Sequence, residues 1–394
     1  MRIAAVRCRH LVGTMEFPGV FWEERLGRPV DIYPEHREAG AGWLEPAGEG
    51  KYRMQSGFLE IETDDGLVGL GGPITMSISR IVLEEFKGLL MGQDPRAVER
   101  IWDTMYRMSV HGRKGPTMMA ISAIDCALWD IRGKWANAPV YRLLGGPTRD
   151  KIPAYASMLG FSVEPQKVLE RAREYRRKGY MAQKWFFRAT PAHGREGMER
   201  NEALARAARE GMGPDSELML DCWQSWDLHY AQLMAPRLAP YEPRWIEEPV
   251  MADQYDVCAQ IRRAMPFPVS NGEHEYTRWG FRRLLEIGAQ DVLQPDIYWA
   301  GGITETQKIA ALASAYDIAV IPHGHSSHAT AHFLASQSPH LCPWQEYLVK
   351  WNSIHQFFLK DKVEPVDGYI IPPEAPGMGM AIDEGLVEQE TVLE

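Results

Sequence analysis

Leu218-Met219-Leu220-Asp221-Cys222-Trp223, Trp245-Ile246-Glu247-Glu248-Pro249 and Val269-Ser270-Asn271-Gly272-Glu273-His274 are three short apolar runs, each followed by an acid. Asp221, Glu247 and Glu273 stand 26 residues apart, twice in succession. That interval has room for one helix and two loops, the length of one βα unit in a parallel barrel. Each acid therefore falls at the C-terminal end of its own strand, on the rim where barrel active sites form. Three converging oxygen ligands, with no Cys or His at matching positions, suit a hard cation such as Mg²⁺.

The register continues. Asp296 closes Val292-Leu293-Gln294-Pro295-Asp296, and His323 closes Ala319-Val320-Ile321-Pro322-His323, 27 residues later. Neighbouring strand ends put a carboxylate beside an imidazole, which orients the ring and raises its basicity. From about residue 150 strands and helices alternate, which predicts an α/β fold with a parallel sheet or barrel. The expected strands are 152–157, 182–187, 217–221, 244–247, 268–271, 291–294, 318–321 and 346–349. Helices are expected at 164–178, 201–211, 254–263 and 303–316.

The chain has 394 residues, beyond the size at which one hydrophobic core stops growing, so two domains are expected. The expected division is a capping α+β domain at 1–135, completed by 360–394, and a (β/α)-barrel at 136–359. In the first part, residues 3–9 read as a strand, 58–72 as a hairpin turning at Asp65-Gly66, and 117–136 as a helix with an apolar stripe. Residues 14–53 are rich in Gly, Pro and charge and show no period. A loop of that length reads as a lid.

The net charge of −10 argues against nucleic acid or an anionic membrane as partner. No run of 18 apolar residues exists, and Met1–His10 lacks the apolar core of a signal peptide. The five cysteines are scattered and lack CxxC spacing, so neither a disulfide framework nor a zinc site is expected. A reducing, cytoplasmic setting and a homo-oligomer are expected.

Taken together, Leu220-Asp221-Cys222-Trp223, Trp245-Ile246-Glu247-Glu248-Pro249, Asn271-Gly272-Glu273-His274-Glu275-Tyr276, Gln294-Pro295-Asp296 and Ile321-Pro322-His323-Gly324 resemble the enolase superfamily, mandelate racemase subgroup. Residues 120–134 and Tyr141-Arg142-Leu143-Leu144-Gly145-Gly146 match it too. The narrower likeness, carried by Asp221-Cys222-Trp223, Gly272-Glu273-His274 and Trp299-Ala300-Gly301-Gly302, is to L-rhamnonate dehydratases and related acid-sugar dehydratases. The resemblance implies a modified TIM barrel under an α+β cap and one Mg²⁺ on Asp221, Glu247 and Glu273. It also implies a sugar-acid substrate. His323, paired with Asp296, would take the C2 proton, and a metal-stabilised enediolate would lose its C3 hydroxyl to give a 2-keto-3-deoxy acid. His323 could also protonate that hydroxyl.

Other residues extend this reading. Lys184 ends the second expected barrel strand, and either contacts a substrate carboxylate or is a neighbour of the site. Family members that move protons on both faces carry a second Lys two residues on; Phe186 stands there, which argues against a racemase. Glu346 is expected to meet the substrate carboxylate, against the alternative of a rim salt bridge. His274, His325 and Trp299 are candidate substrate contacts, and the lid offers Tyr33, His36, Arg37, Trp43 and Arg53. Glu248 should alternate away from the site. His328 and His332 have i,i+4 spacing, but a capped helix explains them better than a metal. Rival readings are another sugar acid (lyxonate, galactonate or similar), an epimerase or cycloisomerase of the same superfamily, a non-catalytic sugar-acid binder, and a barrel hydrolase.

Overall fold

The computed structural model describes residues 1–37, 40 and 44–394. Trp43, one of the lid candidates, lies outside them. Two sheets organise the chain. The first is antiparallel: β1 (Ile3–Glu16), β2 (Glu45–Gly48), β3 (Lys51–Thr63) and β4 (Val68–Ile74). The second holds eight parallel strands: β5 (Ile152–Ser157), β6 (Ala182–Phe186), β7 (Glu217–Asp221), β8 (Trp245–Glu247), β9 (Val269–Asn271), β10 (Val292–Leu293), β11 (Ala319–Val320) and β12 (Gln345–Leu348). Their lateral order is β11-β10-β9-β8-β7-β6-β5-β12, so chain neighbours from β5 to β11 are sheet neighbours, β12 returns to lie beside β5, and the sheet curls as in a barrel. This is a (β/α)-barrel carrying an antiparallel cap. All eight strands fall within a residue or two of the expected positions. They are almost wholly buried, as parallel strands with helices outside and packed side chains inside must be.

The tail serves both sheets. The short strand β13 (Tyr369–Ile370) pairs with β5, and β14 (Gln389–Leu393) lies antiparallel on β1. The helix at Pro116–Trp135 lies against β4 and against the barrel helices Ile297–Ala300 and Gly302–Ser314. It is therefore buried on far more than its apolar stripe. Its two acids reach out to neighbouring backbone: Asp130, also paired with Lys134, accepts from Leu70 and Met378, and one oxygen of Asp125 accepts from Thr304. These bonds tie the cap sheet, the tail and the barrel to one helix.

The aperiodic segment is shorter than 14–53. β1 runs on to Glu16, and β3 begins at Lys51 with β2 beside it, because residues 11–16 and 51–56 pair in register across the two long strands. Among the described residues no helix is long and apolar enough to cross a membrane, and all five cysteines are buried and free.

His328 and His332 lie buried on the helix Ser327–Ser336. His328 Nε2 meets the Asp361 carbonyl at 2.9 Å, and His332 Nδ1 accepts from the Tyr141 N–H at 3.3 Å. Burial holds both rings neutral, pushing each down to about 4. The unfolded chain binds these protons near the usual histidine value of about 6.5, so their contribution to stability is full above that pH and is lost as pH falls toward 4. Together they amount to a loss on the order of a few kcal/mol. Denaturant midpoints should drop between pH 7 and pH 4.5, and less steeply for His332→Gln. Equal slopes in the two proteins would remove His332 from this account.

Candidate active site

The barrel register brings the acids together. Asp221 and Glu247, the last residues of β7 and β8, are direct ladder partners. Glu273 follows two residues after β9, across Gly272. That glycine has φ +133°, and a Cβ there would come within 2.9 Å of Phe281 and 3.0 Å of the Gln294 backbone nitrogen. Only glycine makes this turn without displacing the next strand. One carboxylate oxygen from each of the three acids lies within 4.8 Å of the others.

Lys184, at the middle of β6, is fully buried beside these acids. Its Nζ is ion-paired with Glu247, with Asp221 Oδ2 at 3.1 Å and with Glu346 Oε1 at 2.9 Å. Burial alone would depress its ammonium, but Glu247, Glu346 and Asp221 together hold it well above the usual lysine range. The Asp221 oxygen accepts no aligned hydrogen bond despite that contact. Glu247 is more fully engaged, its Oε2 accepting from Trp245 Nε1 at 2.9 Å and Gln294 Nε2 at 2.8 Å. Burial first, and then the neighbouring Glu247, raises Asp221 well above the carboxylate range. Burial likewise raises Glu273 to about 7. Three desolvated carboxylates, of which Asp221 and Glu247 share one lysine with Glu346, form a donor set short of positive charge. That fits a divalent cation with oxygen ligands, and it fits poorly with soft metals.

Beside the triad, His323 Nδ1 meets Asp296 Oδ2 at 2.7 Å. The other Asp296 oxygen caps the short helix that follows, accepting from the Tyr298 N–H at 2.7 Å. His323 is thus held at Nδ1, and its Nε2 lies 3.4 Å from Glu273 Oε2. Burial works against the charged ring, but Glu273 and Asp296 outweigh it and raise His323 to about 10. A cation on Glu273 would withdraw part of that shift. Glu346 is buried below, its Oε2 accepting from the Gly324 N–H at 3.0 Å.

A cavity of about 260 Å³ opens above His323 and Glu273. The barrel contributes Phe186, Trp223, His274, Trp299, His325, Leu348 and Trp351, and the lid contributes Trp22, Arg25, Leu26 and Arg28. His274, His325 and Trp299 therefore lie on the cavity. Burial, then the adjacent His355, holds His325 well below the usual histidine range. Lys184 and Glu346 lie beneath the wall and do not line it.

Three lid expectations are corrected. Tyr33 and His36 are exposed on the outer side, and Arg37 spends its guanidinium on the carbonyls of Asp31 and Ile32. The reason is a buried ion pair. Arg25 Nη1 and Nη2 meet the two Asp31 oxygens at 2.8 and 3.1 Å, and Nη2 also reaches the carbonyls of His36 and Arg37. With this pair in place, Trp22, Arg25, Leu26 and Arg28 line the cavity, and Tyr33 and His36 are exposed. Arg53 is also outside the cavity, on β3 beside Glu45. The clue that sequence offered was Trp22, an aromatic close to a run of charged residues.

Glu248 is a second correction. β8 ends at Glu247, and Glu248 has φ +39°, so strand alternation no longer applies. Its side chain turns back to the site, and Glu248 Oε2 meets His274 Nδ1 at 2.8 Å. Non-glycine residues at positive φ cluster here, with Trp223 at +43° and Gln224 at +61°, as is common where backbone is fitted to function.

An α+β cap over a barrel whose rim gathers three acids and a histidine defines a class of enzyme fold. The chain belongs to the mandelate racemase / muconate lactonizing enzyme family of the enolase superfamily. The family model described as Enolase C-terminal domain-like matches residues 167–386, and that described as Mandelate racemase / muconate lactonizing enzyme, N-terminal domain, matches 51–145. Among its relatives, an L-rhamnonate dehydratase from Saccharopolyspora erythraea is 36% identical over 371 residues, 92% of this chain and 90% of that one. The crystal structure of rhamnonate dehydratase from Gibberella zeae complexed with Mg superposes with a TM-score of 0.81 at 31% identity, covering 98% of this chain and 95% of that one. The 3,6-anhydro-D-galactonate cycloisomerase from Zobellia galactanivorans gives a TM-score of 0.77 at 32% identity, over 86% and 95%.

Proposed function

We propose that the chain is a Mg²⁺-dependent hydro-lyase that dehydrates a sugar acid of the rhamnonate type. The observation that carries this reading is one buried acid triad beside one His323–Asp296 pair on a single cavity, with Phe186 where a second lysine base would stand. The named relatives point the same way, since a rhamnonate dehydratase crystallised with Mg is among them.

Asp221, Glu247 and Glu273 would hold the cation. When bound, Mg²⁺ supplies positive charge beside the substrate carboxylate, which makes the C2 hydrogen acidic enough to remove. His323 takes that proton. Asp296, on Nδ1, fixes the ring and stabilises the charge it gains. The C3 hydroxyl leaves, and the product becomes a 2-keto-3-deoxy acid. Lys184 and Glu346 form a rigid charged floor: their mutual pairing keeps the triad oriented, and Glu346 holds the Gly324 backbone one residue beyond the base. His274, His325 and Trp299 are the groups available to the substrate's remaining hydroxyls. The lid's Trp22, Leu26 and Arg28 close the cavity against water, which strengthens every charge interaction within it.

The test is a panel of sugar acids incubated with the enzyme and Mg²⁺ in D₂O. The expected result is a 2-keto-3-deoxy product, with little deuterium at C2 of recovered substrate. Epimerised substrate without keto acid would overturn the dehydratase reading in favour of an epimerase.

A further inference from the structure

Behind the cavity wall the lid is joined to the barrel by charge. Glu23 Oε1 accepts from Lys350 Nζ at 3.2 Å, its Oε2 accepts from the Ser162 N–H at 3.2 Å, and the Arg171 guanidinium lies 3.6 Å from Oε1. Lys350 is 4% exposed on the helix Val349–His355, which follows β12. Its Nζ also donates to the Gly160 carbonyl at 2.8 Å, and the same carbonyl accepts from the backbone N–H of Glu23 at 2.8 Å. Gly160 lies in the loop after β5. It has φ +86°, and a Cβ there would come within 2.9 Å of the Trp22 indole. Trp22 is thus seated directly on that backbone, and its ring meets Trp351 edge-on at 5.4 Å. Trp22 and Trp351 line the cavity; Glu23 and Lys350, their neighbours in the chain, pair behind it.

A side chain that only filled this space would be apolar, because a buried charge costs free energy even when it is paired. The Lys350 ammonium sits instead over the Phe161 ring at 4.2 Å. Burial pushes it down to about 8 in spite of Glu23, and Arg171 adds to the fall. Closing the joint therefore costs this lysine more than leaving it in water, so the joint can part as well as form.

We propose that Glu23 and Lys350 are positioning residues whose pair latches the lid at Gly160, seats Trp22 against Trp351 and so completes the wall around bound substrate. The proposal rests on the dehydratase reading for its reaction, though not for the latch itself. Neither residue lines the cavity; both act through Trp22. With the latch cut, a smaller fraction of the enzyme is closed before substrate arrives, and apparent affinity falls by that fraction. Saturating substrate still draws the lid shut, so kcat is spared. A pair that served stability alone would do the reverse: part of the enzyme would be lost, kcat would fall with it and KM would stand.

The experiment reads the lid and the turnover separately. Glu23→Ala, Glu23→Gln and Lys350→Met are loaded with Mg²⁺ and compared with wild type on the sugar acid that wild type turns over fastest. Amide hydrogen exchange is followed along the chain without substrate. In Glu23→Ala and Lys350→Met, peptides covering residues 17–28 should lose protection while the barrel strands keep theirs. KM should rise by about 10-fold or more with kcat within about threefold of wild type, the scale of misplacing a group that positions substrate. Glu23→Gln, which keeps an acceptor oxygen for Lys350, should lie between. If Glu23→Ala or Lys350→Met loosens the whole chain, Glu23→Gln decides by the same two readouts. Unchanged protection of 17–28 would overturn the latch. Protection lost with KM unmoved, or kcat falling while KM stands, would leave the pair a stabilising contact and overturn its positioning role. A wild type that makes no keto acid from any acid in the panel would instead sink the dehydratase reading, and the exchange measurement would still decide the latch.

Discussion

His323→Asn is expected to lower kcat by at least about 10²–10⁴-fold, the range for loss of a general base. Asparagine keeps a donor that can face Asp296, so the 2.7 Å contact has a replacement partner, and the cap from the Tyr298 N–H to the other Asp296 oxygen does not involve His323. Fold and metal content should therefore stay unchanged, and the loss should lie in chemistry. Exchange of the C2 hydrogen in D₂O should vanish together with elimination, because no other group would take that proton. A variant that turned over within tenfold of wild type would exclude His323 as the base.

The second large effect is loss of the divalent ion. Exhaustive chelation should bring activity to background, and Mg²⁺ should restore it. A readout independent of activity exists. Without a cation, Lys184 is, among the described residues, the one ammonium ion-paired with Asp221, Glu247 and Glu346, and burial and Glu247 drive Asp221 well above its usual range. A ligand that binds only the folded state stabilises it by RT ln(1 + [L]/Kd), about 2.7 kcal/mol at one hundred times Kd. The thermal midpoint should therefore climb with Mg²⁺ in wild type. In Asp221→Asn that climb should be much smaller and activity should be lost. Full activity in excess chelator would sink the metal assignment, and a midpoint indifferent to Mg²⁺ in wild type would count equally against it.

Much of this site was legible in the chain because barrel geometry is periodic. One βα unit has a nearly constant length, so acids at 221, 247 and 273 must emerge on one rim, and 296 and 323 must continue round it. The eight strands followed from the same alternation. The parts that were not legible share a different cause. Glu248 was assigned by strand alternation, which holds only while the strand lasts; β8 ends one residue earlier. The lid residues were chosen for their chemistry, since an aperiodic segment has no pattern to say which face turns inward.

The sequence by itself therefore determined the fold class, the order of the strands and the rim position of Asp221, Glu247, Glu273, Asp296 and His323. All of these depend on local periodicity and on distances along the chain. Only the tertiary structure decided which groups face the cavity from outside the barrel's repeat. The buried Arg25–Asp31 pair turns Trp22 and Arg28 inward and sends Tyr33 and His36 to the surface. The left-handed turn at Glu248 makes a dyad with a histidine 26 residues away. Lys184 is drawn below the cavity wall by three carboxylates from three other strands. Each of these is a contact between residues distant in sequence, set by which charges burial forces to pair, and no spacing along the chain encodes it.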